Sequence, residues 1–477
     1  MAGIGFELRK LFRKESLFTN IRAYAYSSLV TIGPMLLCMI MVVVMQKLQD
    51  YAGMPFLQKE LFLAGSQYAF IFSLLLTSGF VMLLSRYVAD RLYEKKYEDL
   101  LPSLYGVICI CLSIGGVAGF IFLYRSPLSL TFKVAEYLLF MELIVIWLLT
   151  VYVSALKDYV RIVKSFFYGA IVTILSGVIL IKLLAIQEAW ATIAAMDIGF
   201  LTTLILLMTH IEGYFPQGGT RYFHFLTYIT KLPAIFAIGF ISTLGIYIHN
   251  FIYWRSQLSI IVGDTFRYSP SYDVPVFFAF LSVIPTMVIF VVSVETSFYE
   301  KFRTYYSVIL GSGTIQDITR AKKEMNEVLL QELSFIMQIQ LFFSLFAMAV
   351  GIKLLPKIGQ TAEQIDAFNI LVLGDCLYIL MYVIVLLLLY FDDRKGALSI
   401  SSLFLVANLI TTPIILPTGH HGLGLLISAA ITVGLAIMRL LHILNNIDYY
   451  TFCAQPLVFK EKPPIFQKLM NRIRFYN

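Results

Sequence analysis

The sequence predicts an all-α polytopic membrane protein of about twelve transmembrane helices in two six-helix lobes, and three observations predict it. First, 59% of the 477 residues are apolar or aromatic and only 14% are charged, with a mean hydropathy of +0.82. A soluble domain is nearer half apolar and a quarter charged. Second, the apolar residues form continuous runs, such as Val42-Val43-Val44 and Leu386–Leu389. A helix of about 20 such residues crosses a hydrocarbon core of ~30 Å, whereas barrel strands would alternate apolar and polar positions. Third, threading those runs back and forth places 27 of the 36 Lys and Arg on one side, the bias that sets cytoplasmic loops apart. A soluble enzyme and a β-barrel are excluded. The formal charge of +7 reflects the loop asymmetry, so no nucleic-acid partner is implied.

Taken in order, the runs predict helices at about 22–46, 61–85, 103–124, 134–156, 163–184 and 190–210, then at about 232–253, 273–297, 333–355, 366–390, 397–416 and 422–444. Both termini are expected in the cytoplasm. Glu212-Gly-Tyr-Phe-Pro-Gln-Gly-Gly219 mixes Pro, Gly and polar residues between two apolar blocks and reads as a linker. The expected organisation is therefore an arm at 1–21, a lobe at 22–210, a cytoplasmic linker at 211–231, a second lobe at 232–444 and a tail at 445–477. An even number of spans per half makes the halves a parallel pseudo-repeat. The opening residues mix Glu with Arg and Lys and lead into a long apolar run, which predicts an uncleaved first span rather than a signal peptide.

Three cytoplasmic segments are amphipathic. Ile4, Leu8, Leu11 and Phe12 make one stripe, and Ile465, Phe466, Leu469, Met470 and Ile473 make another. Such basic amphipathic helices lie on anionic lipid or receive a partner protein. Between them, Thr314 is placed to cap a helix with Ile315, Ile318, Met325, Val328 and Leu329 on one face. Of the five cysteines, Cys38, Cys109, Cys111 and Cys376 fall in apolar runs and Cys453 in the tail, with no metal-ligand spacing. His420-His421 has no carboxylate beside it in the sequence. No P-loop is present, and Gly311-Ser-Gly313 is too short to cradle a nucleotide. No cofactor, metal or catalytic residue is expected, and the chain is read as a non-enzyme.

Chemistry is expected where ionisable groups enter the spans, because a charge there is costly and marks a cavity or an ion path. Asp375 lies deepest, with Asp197 and Glu142 somewhat shallower, and the three are candidates for ion coupling. Glu295, near the cytoplasmic end of the eighth span, is a candidate gate residue. Tyr247, His249, Tyr253, Trp254 and Arg255 form a candidate sugar path at the exterior end of the seventh, where rings stack and hydroxyls bond; an interfacial aromatic belt is the other reading. Gly33-Pro34, Pro233 and Pro285 are candidate hinges, since proline removes a helix hydrogen bond.

Several motifs then carry a family resemblance. The opening Met-Ala-Gly-Ile-Gly-Phe-Glu-Leu-Arg-Lys is followed by Arg22-Ala-Tyr-Ala-Tyr, Arg86-Tyr-Val-Ala-Asp-Arg-Leu-Tyr93 and Ser154-Ala-Leu-Lys-Asp-Tyr159. Further along stand Gly245-Ile-Tyr-Ile-His-Asn-Phe-Ile-Tyr-Trp254, Tyr272-Asp-Val-Pro-Val-Phe-Phe-Ala-Phe280 and Val294-Glu-Thr-Ser-Phe-Tyr-Glu300. In order and over nearly the whole chain, these resemble the PelG family of Pel exopolysaccharide transporters. The chain departs from that pattern at Tyr247-Ile-His-Asn250, where Trp-Ile-Asp-Lys is expected. The resemblance implies a MATE-like fold of the multidrug/oligosaccharidyl-lipid/polysaccharide (MOP) exporter superfamily, in the inner membrane of a bacterium. It also implies a polysaccharide substrate, a PelF-like cytoplasmic glycosyltransferase as partner, and PelD-like and PelE-like membrane partners. A lipid-linked oligosaccharide flippase and a drug/cation antiporter of the same fold are the alternatives.

Overall fold

The computed structural model describes residues 17–453 apart from 157, 216–218 and 312, and of residues 17–32, 159, 295 and 296 the backbone alone. The two terminal amphipathic stripes and the side chain of Glu295 lie outside the described residues. Among those described, twelve helices are long and apolar enough to cross a membrane, one at each expected span. This is a multi-pass membrane protein.

By packing, the chain divides into two compact units, Pro34–Ser269 and Pro270–Gln455, with the division inside the first helix falling between Gly33 and Pro34. The first unit holds the later part of α1 (Leu17–Tyr51), then α2 (Phe56–Tyr93), α3 (Leu100–Tyr124), α4 (Leu130–Ala155), α5 (Tyr159–Gly177) and α6 (Ala189–Tyr214). A short α7 (Leu226–Lys231) lies within the linker, followed by α8 (Pro233–Tyr253) and an antiparallel hairpin, β1 (Ile260–Val262) with β2 (Phe266–Tyr268). The seventh span, α8, packs along α2, so packing draws its boundary one span later than the Pro/Gly linker does. Small residues permit it: a Cβ on Gly239 would sit 2.6 Å from the Ser78 carbonyl oxygen, and one on Gly79 would be 2.8 Å from the Phe236 ring. The hairpin is not in the expected set of elements, although Gly263 and Asp264 supply the two positive φ angles of its turn.

The second unit has α13 (Ala362–Tyr390) at its centre, packed against α9 (Pro270–Phe280), α12 (Ile315–Leu354), α14 (Arg394–Ile415) and α15 (Leu423–Asn445); α16 (Ile447–Phe452) follows. At the α13–α14 turn Arg439 donates to both Asp393 oxygens, at 2.7 and 2.9 Å, a bidentate charge-assisted pair. Two expectations change here. The eighth span is not one helix over 273–297. It runs as α9, a 3₁₀ turn at Leu281–Val283, α10 (Ile284–Ser293), a π turn at Val294–Phe298 and α11 (Tyr299–Leu310). The cytoplasmic helix and the ninth span are instead continuous as α12, whose first forty residues hold no proline. Thr314 and Asp317 form the capping box that starts it. Met325 and Leu329 of its expected face are buried, but Ile315 is 80% exposed, because that face is covered only from Ala321 onward.

The tightest crossing tests the packing. A Cβ on Gly199 of α6 would strike the Thr173 side chain of α5 and lie 2.6 Å from the Gly169 carbonyl oxygen, whereas one on Gly213 meets nothing within 4 Å. Gly199→Ala is therefore expected to destabilise the detergent-solubilised protein by about 1–3 kcal/mol. Gly213→Ala should be neutral or stabilising by up to about 1 kcal/mol. Thermal unfolding of the two variants checks the opposite signs.

Candidate functional site

Three carboxylates enter the interior of the first unit. Glu136 on α4 and Asp197 on α6 are only 4% and 8% exposed, and Glu142 on α4 is partly buried. α4 packs against both α2 and α6. Glu136 lies over α2 where Gly65 leaves space, since a Cβ on Gly65 would be 2.6 Å from its Oε2. Gln49 donates to Thr192 at 2.9 Å and Trp147 to Ser73 at 3.0 Å, fixing α1 on α6 and α4 on α2. Among the described residues, Glu136 Oε2, Glu142 Oε2 and Asp197 Oδ1 are buried without a hydrogen-bond partner. Asp197 interacts electrostatically with both glutamates, yet the three do not converge as metal ligands would. Glu136 was not in the expected set: a span starting at 134 leaves it at the interface, whereas α4 starts at Leu130 and draws it inward.

The second unit holds Asp375, on α13 and 3% exposed, so the coupling candidates are divided between the two units. Beside it, Gly374 makes room for Leu425 of α15. The interrupted eighth span is held by polar groups of α12. Gln340 donates to the Ser282 carbonyl at 3.4 Å and to Ser344 Oγ at 2.9 Å, while Thr286 donates to Gln340 Oε1. At the π turn, Ser293 donates to Glu332. Pro285 opens α10 directly after the 3₁₀ turn. Pro233 occupies the first turn of α8, and α1 runs helical through Gly33-Pro34. Glu295 lies in the π turn.

Of the candidate sugar path, His249, Tyr253 and Trp254 are buried, Tyr247 is half-buried and Arg255 is exposed. The Trp254 ring stacks on Tyr68, centroids 4.7 Å apart and planes within 8°. Tyr68 Oη donates to the Arg267 carbonyl at 2.8 Å and accepts from its N–H at 3.1 Å. That face of Trp254 is thus taken by a ring that anchors the hairpin.

At the opposite end of the unit the linker is seated on α2. The buried Arg91 donates to Glu94 at 2.9 Å, lies 3.7 Å from the buried Asp99 and over the Tyr87 ring, and approaches His224 Nδ1 at 3.5 Å. Tyr228 donates to Asp90 at 3.3 Å. Burial, then the Arg91 guanidinium, holds the His224 imidazole below its ordinary value of 6.5.

Solved structures share this architecture. An outward-facing multidrug resistance MATE family transporter of the MOP superfamily aligns with a TM-score of 0.61 and 13% identity, over 88% of this chain and 96% of that one. A mutant of the Vibrio cholerae MATE transporter VcmN aligns at 0.62 and 12%, over 94% and 99%. A MOP superfamily transporter from Pyrococcus furiosus aligns at 0.57 and 13%, over 88% and 96%. The fold is that of the MATE transporters. Among curated proteins no sequence matches the chain. The model of the PelG family, "Putative exopolysaccharide Exporter (EPS-E)", matches residues 1–452, and the chain belongs to that family.

Two measurements test the polar clusters. Arg91 can donate to His224 only while Nδ1 is unprotonated. With the folded pKa depressed, this contribution is fully present above the ordinary imidazole value of about 6.5 and is lost as pH falls from there through the lower folded pKa. Amide exchange over 224–231, corrected for intrinsic rates, should therefore accelerate between pH 7.5 and 5.5, about the ordinary imidazole value, and His224→Gln should flatten that dependence. Gln340→Leu strands Thr286 and the Ser282 carbonyl. A loss of about 1–3 kcal/mol should appear as a lower melting temperature.

Proposed function

We propose that this protein exports an exopolysaccharide of the Pel type across a bacterial cytoplasmic membrane, as a non-enzymatic transporter with both termini in the cytoplasm. The observation that carries this reading is the family match over residues 1–452. The 27 of 36 Lys and Arg that fall on one side of the expected spans support the orientation. A PelF-like glycosyltransferase would supply the growing polymer, with PelD-like and PelE-like proteins beside it in the membrane. Asp375 in one unit and Glu136, Glu142 and Asp197 in the other are the residues we assign to ion coupling. Buried carboxyls without cationic partners favour a proton as the coupled ion, because protonation removes the cost of a bare charge in hydrocarbon.

A second reading, a drug/cation antiporter, is favoured by the MATE fold of the solved relatives. Proteoliposomes separate the two. With nucleotide sugar and a PelF-like glycosyltransferase outside, polymer is expected in the lumen of vesicles containing the protein, and it should be absent from protein-free vesicles. Substrate-driven proton or sodium flux with no glycosyltransferase present, and no lumenal polymer, would favour the antiporter. A requirement for a lipid-linked donor would favour a flippase. Asp375→Asn and Asp197→Asn should each insert normally and reduce export by about tenfold or more, the size of one lost 1.4 kcal/mol coupling step; normal export by both variants overturns the coupling assignment.

A further inference from the structure

Two charged side chains at the hairpin end of α3, Arg125 and Asp264, have no hydrogen bond or ion pair among the described residues. Along this helix Val117, Phe120, Ile121 and Tyr124 are more than half exposed, the surface of a span that faces hydrocarbon. The helix ends at Tyr124 with Arg125 at its C-cap. The turn of the β-hairpin is fastened beside it: Ser126 and Thr265 share a hydroxyl hydrogen bond of 2.6 Å, and Thr265 donates onward to the Gly263 carbonyl at 2.8 Å. Ser126 Oγ also accepts from the Leu128 N–H at 3.2 Å. A Cβ on Gly263 would be 2.5 Å from Leu128, so the turn is closely seated on the α3–α4 connection. Asp264 follows at φ +47°, a left-handed conformation that aspartate tolerates better than most residues.

Arg125 and Asp264 line one open cleft of about 400 Å³, whose apolar wall is Ala118, Ile121 and Phe122. The two hydroxyls in it are committed to each other and to the backbone. Both Arg125 and Asp264 are exposed. Neither side chain forms a hydrogen bond or ion pair among the described residues, with the other or with anything else. An anion alone would suit the guanidinium but face the carboxylate, and a cation alone the reverse. A ligand bearing both charges satisfies both, and the apolar wall continues into the hydrocarbon-facing strip of α3, where an acyl chain can lie.

We propose that this cleft binds one zwitterionic phospholipid with a primary amine, its phosphate on Arg125 and its ammonium on Asp264. Arginine matches phosphate oxygens with paired N–H donors. A primary ammonium donates hydrogen bonds to a carboxylate, which a quaternary choline cannot do. The site therefore prefers phosphatidylethanolamine over phosphatidylcholine through Asp264, and over phosphatidylglycerol because the glycerol headgroup leaves Asp264 unpaired.

Native mass spectrometry of the full chain, taken from bilayers of equal phosphatidylethanolamine, phosphatidylcholine and phosphatidylglycerol, tests this. One retained phosphatidylethanolamine is expected, favoured over each competitor by about fivefold or more, the selectivity of one charge-assisted contact at ~1 kcal/mol. Asp264→Asn should bring phosphatidylglycerol level with phosphatidylethanolamine, and Arg125→Gln should abolish phosphatidylethanolamine retention. Equal retention of all three lipids by the unmodified protein overturns the proposal, as does a preference that survives both substitutions.

Discussion

Inside a bilayer core a polar group has no water to turn to, so its partner must come from the protein. Many of the polar side chains in these spans meet that constraint. Hydroxyls fold back on their own helix, as Thr77 does to the Ser73 carbonyl at 2.8 Å and Thr432 to that of Ser428 at 2.7 Å. Others bridge helices, as Gln49 does to Thr192 and Ser103 to Tyr152. Small residues set the distances at which those bridges close, Gly199 against Gly169 being the tightest. Glu136, Glu142 and Asp197 each have a buried oxygen with no such answer, as does Glu60 of α2. Gln340 by contrast has both its oxygen and its nitrogen answered, and a bare carboxylate is costlier to leave unanswered in hydrocarbon than an amide or a hydroxyl.

The twelve spans were legible because hydropathy reports the solvent each segment meets, and a bilayer imposes that solvent over a fixed length. Their ends were not, since helices such as α2 continue through the interface on backbone hydrogen bonds that hydropathy does not register; α2 runs to Tyr93, beyond the apolar run that marks it. The same blind spot hid Glu136 and the continuity of α12 with its amphipathic N-terminal stem. The hairpin carries a signal of its own, an apolar Ile260-Ile-Val262 before Gly263-Asp264, but it is three residues a side, too short for alternation to count. Which helices pack together is written in neither pattern. That α8 lies along α2 depends on Gly79 facing Phe236 and Gly239 facing a carbonyl, a match of shapes visible only once both helices are placed. For the candidate site, the sequence marked Asp375, Asp197 and Glu142 by their cost in hydrocarbon, but not that Tyr68 covers Trp254.

The broken eighth span bears on how a polymer could pass. Rigid rocking of large bodies suits a small cargo that is released in every cycle, whereas a growing chain is held across the membrane between additions. Motion confined to part of one span is better suited to such a cargo. Here α9, α10 and α11 are separate rods joined by a 3₁₀ turn and a π turn, and each junction can absorb backbone rotation without breaking a regular helix. The junctions are not loose: Gln340 answers the Ser282 carbonyl at the first, and Glu332 answers Ser293 at the second. Both partners come from α12, in whose N-terminal stem Glu324 pairs with Lys301 of α11 at 2.9 Å. A displacement of that stem would reach both junctions along one continuous helix. α12 thus ties its N-terminal stem to both breaks of the segmented span.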